Sequence, residues 1–565
     1  MSSGMKIIEC VPNFSEGRDR SVIKQIADVI EEVEGVRLLD VDPGKATNRT
    51  VVTFAGDPEA VCEAAFRAVR KASEAIDMSR HHGAHPRFGA TDVLPLIPVA
   101  GMTMDEAVVW ARRLGKRIGD ELQIPVYAYE QAAFDERRRN LAYCRAGEYE
   151  GLKDRLATPE GKPDFGPAAF LPKTGAIAVG ARNFLIAYNV NLNTTSTRRA
   201  NAVAFDVREK GRPVREGNPF TGPKKRDADG HEIWQPGLLK AVKGIGWYIE
   251  EYGLAQVSMN LTDTNVTPLH TAFETVCERA QARGLRVTGS ELVGLVPLQA
   301  MLDAGRYFLA KQQRSSGIPD DEIIKIAVRT MGLGELSPFD PKKKIIEYVL
   351  AGDPSPKLTD KTLTGFVYET ASESPAPGGG SVAACMGALG AALGGMVANL
   401  SAHKPGWDER WCVFSAHAEK AKAYMNRLLF LIDEDTRAFR RVMEAFALPG
   451  GAGSEQAARK QAIQDATRYA AEVPLQVMAL CGDCLRLIKT IAETGNPHSA
   501  SDAGVGALAA RAGARGAWLN VKINAVSLDD KALAGQLIRE GEAIDGQAEQ
   551  MEREILAVVE RKINA

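Results

Sequence analysis

The chain lacks a cysteine framework. Eight cysteines in 565 residues are too few to staple it together. The lone Cys481-x-x-Cys484 is followed by no second pair and no histidines at zinc-site spacing. The expected state is ordinary thiols, no metal, and a reducing cytoplasm. An excess of either charge is also missing. Lysine and arginine total 70 against 72 acidic residues, a net charge of −2, so no global field points to nucleic acid or a membrane. There is no long apolar span either. The longest uncharged apolar run, 382–398, is short for a bilayer and rich in glycine and alanine, which suits a buried helix. The opening MSSGMKIIECVPNF has no apolar run suited to a signal peptide.

Apolar residues make up 45% and charged residues 25%, enough for several ordinary cores. At roughly 150 residues per domain the length suggests three or four domains. The first third alternates strand and helix patterns: strands at 7–11, 36–41, 50–54 and 93–99, helices at 19–34 and 59–75. That is β-α-β-β-α-β, a ferredoxin-like order, with a further αβ unit at 104–122 and 126–129. A second α/β block has strands at 177–180, 185–191, 254–261 and 286–296, and helices at 196–210 and 268–283. Between them, 211–238 is polar and rich in Pro and Gly, a long loop. Beyond 381 strand patterns nearly vanish, and helices are predicted at 381–402, 408–447, 454–493, 502–525 and 529–562, an all-α bundle. The expected division is an α/β subdomain at 1–184, a second at 185–335, a linker at 336–362, and the bundle at 363–565.

The segment SRHHGAHPRFGATDV carries three of the eight histidines, His81, His82 and His85, between Arg80 and Arg87. Histidine titrates near neutrality and can take or give a proton. A loop before a strand is a usual place for chemistry. A polar loop and a metal site are the competing readings, although no cysteine or carboxylate at matching spacing supports a metal.

Several blocks resemble glutamate formimidoyltransferases: IIECVPNFSEGRD, LLDVDPGKATNRTVVTFAGDPE, DMSRHHGAHPRFGATDVLPLIPV, RAGEYEGL, PDFGPAAFLPKTGAIAVGARNFLIAYNVNL and GSELVGLVPLQAML, all in order within residues 5–335. The resemblance implies transfer of a formimidoyl group from N-formimidoyl-L-glutamate to N5 of tetrahydrofolate. It implies that His85 is the acid/base. The folate-binding segment falls on Gly166, Pro167, Ala168, Ala169, Phe170, Leu171, Pro172, Lys173, Thr174 and Gly175. One histidine near its own pKa can take the proton from N5 and return it to the departing nitrogen. The donor's amidine is cationic at neutral pH and calls for a carboxylate; Asp40, Asp42 and Asp92 lie on loop ends. Its carboxylates call for cations, for which Arg49 and Arg87 suit bidentate capture. Surface ion pairs are the alternative for both arginines. Lys173 or Lys162 could meet the folate tail. The 211–238 loop looks longer than the family pattern, so no role is carried over to it.

In the bundle, Gly378-Gly379-Gly380-Ser381 opens a helix of small residues. Free N–H groups there favour an anion, or the glycines simply permit close packing. Without a G-K-[ST] ending it is not a P-loop. Leu428, Ile432, Phe439, Val442 and Phe446 mark one apolar helix face, and Asp435 falls on it. A carboxylate turned toward a core is costly unless paired or functional, and burial raises its pKa. Asp433 lies off that face, four residues before Arg437, spaced for an exposed ion pair. A buried Asp–Arg or Asp–Lys pair is the alternative for Asp435.

FVYETASESPAPGGGSVAAC, LLFLIDEDTRAF, AAEVPLQV and WLNVKINAVSLDD resemble formimidoyltetrahydrofolate cyclodeaminases over about 363–560. The resemblance implies that Asp435 is catalytic. It implies cyclisation of 5-formimidoyltetrahydrofolate to 5,10-methenyltetrahydrofolate with release of ammonia. Asn520 and Asn524 share one helix face and could hold folate or bridge helices. His498 and Asp502 in NPHSASD are secondary candidates. Related bundles carry cyclohydrolase activity, and a silent folate-binding module is a third reading. The resemblance further implies a homo-oligomer and a polyglutamylated folate passed between sites.

Overall fold

A computed structural model describes residues 6–44, 48–83, 87–217, 222–250, 252–351, 357–450 and 453–564. The chain divides into two compact units, one of residues 1–304 with 328–352, the other of 305–327 with 353–565.

The first unit begins with a seven-stranded sheet. Its strands are β1 (Ile7–Cys10), β2 (Asn13–Phe14), β3 (Val36–Gly44), β4 (Arg49–Gly56), β5 (Thr91–Ala100), β6 (Val126–Glu130) and β7 (Ile177–Ala181). β1, with β2 continuing its line, lies antiparallel between β4 and β5, and β3 flanks β4. β7 then pairs parallel with both β5 and β6. Central β5 is buried through its first seven residues, which is why TDVLPLI reads as a near-continuous apolar run rather than an alternating one. Helices α1 (Arg20–Glu31), α2 (Pro58–Ala75) and α3 (Met104–Leu122) cover the sheet. Their starts follow local chemistry. Asp57 caps α2 with Pro58 in its first turn, and Thr103 and Glu106 form a reciprocal capping box on α3.

The second sheet has the order β11-β12-β8-β13, from β8 (Ile186–Leu192), β11 (Val242–Ile249), β12 (Leu254–Leu261) and β13 (Val287–Val293), all antiparallel. Helices α4 (Thr197–Val207) and α5 (Leu269–Gln281) belong to it. The pattern reading missed β11. Its sequence, VKGIGWYI, is interrupted by two glycines and largely open on one face. Gly246 is needed there, because a Cβ would lie 2.1 Å from the Asn201 nitrogen of α4. The predicted 211–238 loop is not wholly irregular. Its ends pair as the short strands β9 (Arg212–Pro213) and β10 (Trp234–Gln235).

Two further helices follow, α6 (Leu298–Lys311) and α7 (Asp320–Met331). Residues 305–327 pack with the second unit: Asn399 donates to the Gly317 carbonyl at 2.8 Å, and Lys422 pairs with Asp320 at 2.5 Å. The bundle itself comprises α8 (Gly379–Ala402), α9 (Trp411–Ala447), α10 (Ser454–Thr494), α11 (Ala500–Val526) and α12 (Lys531–Ile563). Among the described residues α8 is the one helix long and apolar enough to cross a membrane, yet most of it is buried inside the bundle. Its small residues explain this. A Cβ at Gly390 would lie 2.7 Å from the Gly506 carbonyl oxygen and 2.8 Å from the Ala510 nitrogen, so α8 and α11 touch backbone to backbone. Gly390→Ala should therefore destabilise the bundle by about 1–3 kcal/mol through overpacking. The full chain's unfolding midpoint in urea, followed at Trp518, reports it; an unmoved midpoint would refute the close contact.

Candidate functional site

Three of the sequence blocks meet where β5 and β7 begin. The Met78 N–H donates to the Lys173 carbonyl at 2.9 Å, the Ala90 N–H to the Thr174 carbonyl at 2.8 Å, and the Tyr149 N–H to the Arg87 carbonyl at 2.9 Å. Gly89 and Gly175 form a β-bridge. A Cβ at Gly175 would lie 2.2 Å from the Phe88 carbonyl oxygen, and Gly175 also has φ +66°. The 166–175 segment is thus stitched to the histidine loop by its backbone. The Phe170 ring packs on Tyr149 at 5.5 Å between centroids, and the Tyr149 hydroxyl donates to the Pro172 carbonyl at 2.6 Å. The Lys173 ammonium donates to the Glu74 carbonyl at 2.7 Å, while Lys162 is exposed.

Beside this seam a cleft of about 550 Å³ is lined by His82, Gly83, Arg87, Gly147, Glu148 and Glu150. His85 lies outside the described residues. His81 is buried, and both ring nitrogens are engaged. Nε2–H donates to the Asn48 carbonyl at 2.8 Å, and Nδ1 accepts from Arg87 Nε–H at 3.4 Å. Burial holds its pKa below the usual histidine value, so it is a neutral strut rather than a proton carrier or metal ligand. Asn48, itself at φ +49°, donates to the His82 carbonyl and accepts from the Gly17 N–H, each at 3.0 Å.

Arg87 is not an open cation. Glu150 grips it with both carboxylate oxygens at 2.7 and 2.9 Å, and Glu148 adds a longer contact at 3.4 Å. The pair with Glu150 raises the arginine pKa and lowers that of the glutamate. Asp92 is likewise spoken for. It is fully buried against Arg145 and accepts the Phe88 N–H at 3.2 Å; burial raises its pKa and Arg145 opposes the rise. Arg49 sits in the field of Asp92, Arg145 and Asp42, and burial lowers its pKa. Asp42 is exposed. Asp40 opens instead on a second cavity of about 450 Å³, shared with Glu9, Arg182, Lys343 and Lys344. Burial raises Glu9 to about 7, with Arg182 pulling the other way. Pattern reading missed Asn48, Glu148, Glu150 and Glu9. All four lay inside quoted blocks; no periodicity marks Glu9, a carboxyl within an apolar strand.

In the bundle, Asp435 meets the start of α8. The Ser381 hydroxyl donates to Asp435 Oδ2 at 2.9 Å and also reaches the Ile432 carbonyl at 3.0 Å and Thr436 Oγ1 at 3.3 Å. A Cβ at Gly380 would lie 2.1 Å from Asp435 Oδ1, so that glycine makes room for the carboxylate. The anion expected at this helix start is the protein's own. Burial raises the Asp435 pKa, and the hydroxyl and N–H of Ser381 partly oppose it. No salt bridge to Asp435 exists among the described residues, so a buried Asp–Arg or Asp–Lys pair is not what holds it. Asn520 lies beside Gly379, 3.6 Å from where its Cβ would be, and donates to the Gly516 carbonyl at 3.0 Å. Gly378 caps the helix.

Two expectations are corrected, the apolar face beyond Asp435 and the Asp433–Arg437 pair, and the remaining bundle residues can be placed. The apolar face did not hold past Asp435, since Phe439 is 40% and Phe446 50% exposed. The buried side of α9 instead runs through Leu428, Leu431, Ile432 and Ala438. Asp433 makes no pair with Arg437. It caps the turn at Leu358–Asp360, accepting from the Leu358 N–H and the Thr359 hydroxyl, each at 2.7 Å, while Arg437 pairs with Glu434. Asn524 bridges helices by donating to the Ala470 carbonyl at 2.7 Å. His498 and Asp502 lie at the far end of α8, where the Asn496 N–H bonds Ser401 at 2.8 Å. Ser401 is about 30 Å along the helix from Ser381. Cys481 and Cys484 are core residues, and burial pushes the Cys481 thiol up to about 12.

Residues 7–182 match the family model described as formiminotransferase domain, N-terminal subdomain; 187–351 match formiminotransferase domain; 362–543 match formiminotransferase-cyclodeaminase. The chain is 43% identical over 558 residues to a formimidoyltransferase-cyclodeaminase of Gallus gallus, covering 99% of each chain. A glutamate formimidoyltransferase of Thermoplasma acidophilum is 42% identical over 54% of this chain and 93% of its own. A methenyltetrahydrofolate cyclohydrolase of Methylorubrum extorquens is 39% identical over 36% of this chain and 99% of its own.

The Asp435 geometry predicts a stability signature. Its folded pKa is raised, so the unfolded chain ionises first. The stability it contributes is present below the unfolded pKa and is lost as pH rises through the folded one. Asp435→Asn, which cannot ionise, should be at least as stable as the parent near pH ~8, with the gap closing toward pH ~4. Urea titrations at the two pH values check this; an asparagine variant less stable by the same amount at both would contradict a costly buried charge.

Proposed function

The chain belongs to the formimidoyltransferase-cyclodeaminase family, and we propose that its two sites carry out the two reactions in turn. It is a bifunctional folate enzyme of histidine degradation. The first half transfers the formimidoyl group of N-formimidoyl-L-glutamate to N5 of tetrahydrofolate. The second cyclises the product to 5,10-methenyltetrahydrofolate and releases ammonia.

In the transfer, N5 attacks the formimidoyl carbon and forms a C–N bond. His85 takes the N5 proton and returns it to the glutamate nitrogen as the old C–N bond breaks. The segment from Gly166 to Gly175 forms one wall for the pterin. In the cyclisation, N10 attacks the same carbon and its proton passes to Asp435. Asp435 then protonates the amino group, which leaves as ammonia, and the positive charge stays on the methenyl product. The observation that carries this second role is a carboxylate held at a helix start by Ser381, with a pKa moved toward neutrality and no cation to quench it. Gly378, Gly379 and Asn520 lie close enough to that start to contact folate.

The finer parts of the reading rest on separate supports. Both antiparallel frames read as ferredoxin-like on their strand order. The functional division follows 1–184, 185–335, the linker 336–362 and 363–565. Exposed Leu389, Met396 and Leu400 on α8, with Val505, Leu508 and Ile523 on α11, support a homo-oligomer. Unpaired cysteines support a cytoplasmic location. The folate is polyglutamylated, held by cations of the first unit, and no metal takes part. A second reading of the bundle, as a methenyltetrahydrofolate cyclohydrolase, is favoured by the Methylorubrum relative.

Purified protein given formimidoylglutamate and tetrahydrofolate should yield ammonia and methenyltetrahydrofolate absorbance in equal amounts. Transfer without ammonia would defeat the cyclodeaminase reading and leave a cyclohydrolase or a silent folate-binding bundle. His85→Ala should abolish transfer and spare cyclisation of supplied 5-formimidoyltetrahydrofolate, and Asp435→Asn should do the reverse. Loss of both activities in either folded variant would defeat the two-site assignment.

A further inference from the structure

The cleft beside the histidine loop holds more negative charge than its arginine needs. Arg87 contributes one positive charge, and Glu150 meets it with two short hydrogen bonds. Glu148 stands at the same cleft with a single 3.4 Å contact to Arg87 and a side chain 45% exposed. Its charge is a surplus.

The chain works to place that surplus. Glu148 has φ +53°, the left-handed region that a side chain other than Gly, Asn or Asp seldom adopts. Holding such a residue there costs on the order of 1 kcal/mol. The turn is fixed by Gly147 at φ +81° and by hydrogen bonds from the Glu148 N–H to the Arg145 carbonyl and from the Gly151 N–H to the Gly147 carbonyl, each at 2.7 Å. A Cβ on Gly151 would come within 2.8 Å of the Gly147 oxygen, so the turn closes only with glycine at both ends. Arg145, the residue that begins it, is itself anchored on buried Asp92. Glu148 therefore projects from a rigid turn into a cleft whose opposite wall is His82 and Gly83.

Of the two substrates, only the formimidoyl donor brings a cation, its amidinium. Of the three carboxylates first considered for it, Asp92 is sealed against Arg145, Asp40 faces a different cavity, and Asp42 is exposed with its charge acting on Arg49. We propose that Glu148 is the residue that binds the donor's amidinium and so selects a donor with a cationic formimidoyl group over one with an uncharged formyl group. Arg87 and Glu150 act as its frame: their mutual neutralisation leaves the Glu148 carboxylate as the charge presented to the ligand. This role rests on the transferase reading of the first unit.

The test is Glu148→Gln in the full-length protein, with N-formyl-L-glutamate, which keeps both carboxylates but carries an uncharged formyl group, as a competitive inhibitor. Losing a charge-assisted hydrogen bond to a bound cation lowers affinity by about 10- to 100-fold. The KM for formimidoylglutamate should rise by that factor. The KM for tetrahydrofolate, which reports a folded first unit, and the inhibition constant of N-formylglutamate should stay unchanged. Glu148→Asp, which keeps the charge, should recover part of the loss. An unmoved KM for the donor overturns the assignment. So does an equal rise for the donor and the formyl inhibitor, which would mean lost fit rather than lost charge, and so does an aspartate variant no better than glutamine. Wild-type protein that transfers no formimidoyl group at all would instead defeat the transferase reading itself.

Discussion

At Gly89 and Gly175, and again at Gly380 and Gly390, one stretch of chain lies against another at a distance that leaves no room for a Cβ. The rest of the structure depends on these approaches. In the first unit they lock the histidine loop onto the 166–175 segment, so two sequence blocks nearly a hundred residues apart share one backbone hydrogen-bond network. In the bundle they draw α8 so close to its neighbours that a side-chain carboxylate from α9 reaches the first turn of α8. Dispersion and burial of apolar surface then reward the fit. Gly380 and Gly390 bring protein to protein, whereas a Cβ at Gly378 or Gly379 would meet nothing closer than 3.6 Å.

The two sites use burial in opposite ways. Around Arg87 the chain neutralises a buried cation with Glu150 and leaves a second carboxylate over. Around Asp435 it supplies a hydroxyl and an N–H but no opposing charge. The first arrangement fixes charges in place, which suits recognition. The second leaves a carboxyl whose pKa burial raises, with only Ser381 pulling it back.

Most of the element order was legible because it rests on periodicity. β12 and α3 came out with the predicted bounds, and the bundle helices within three residues at their starts and one at their ends. β11 was not, because its glycines serve a close contact that only the folded sheet reveals. The argument that singled out Asp435 agrees with the structure only in part. The apolar face it rested on stops at Ile432, and Phe439 and Phe446 are open. What marks the residue is the approach of Ser381, a long-range fact. Asp433 shows the same limit: helical spacing paired it with Arg437, but a turn 75 residues away in sequence claims it. Charge spacing predicts neighbours on one helix and is blind to what another segment brings. The engagement of Arg87 by Glu150, 63 positions on, was invisible for the same reason.

That turn at Leu358–Asp360 has one more consequence. Asp433 fastens it to α9 two residues before Asp435. In mechanical terms the clamp is a strain relief. Tension carried along the chain from the N-terminal side ends at Leu358 and is not passed directly to the glycines that open α8. The chain that follows residues 305–327, themselves bonded to α8 and α9, is thus fastened to α9 a second time before it reaches those glycines. A truncation that keeps residues 357–360 retains the anchor, and one that begins just after them gives it up, though it looks equally complete as a bundle.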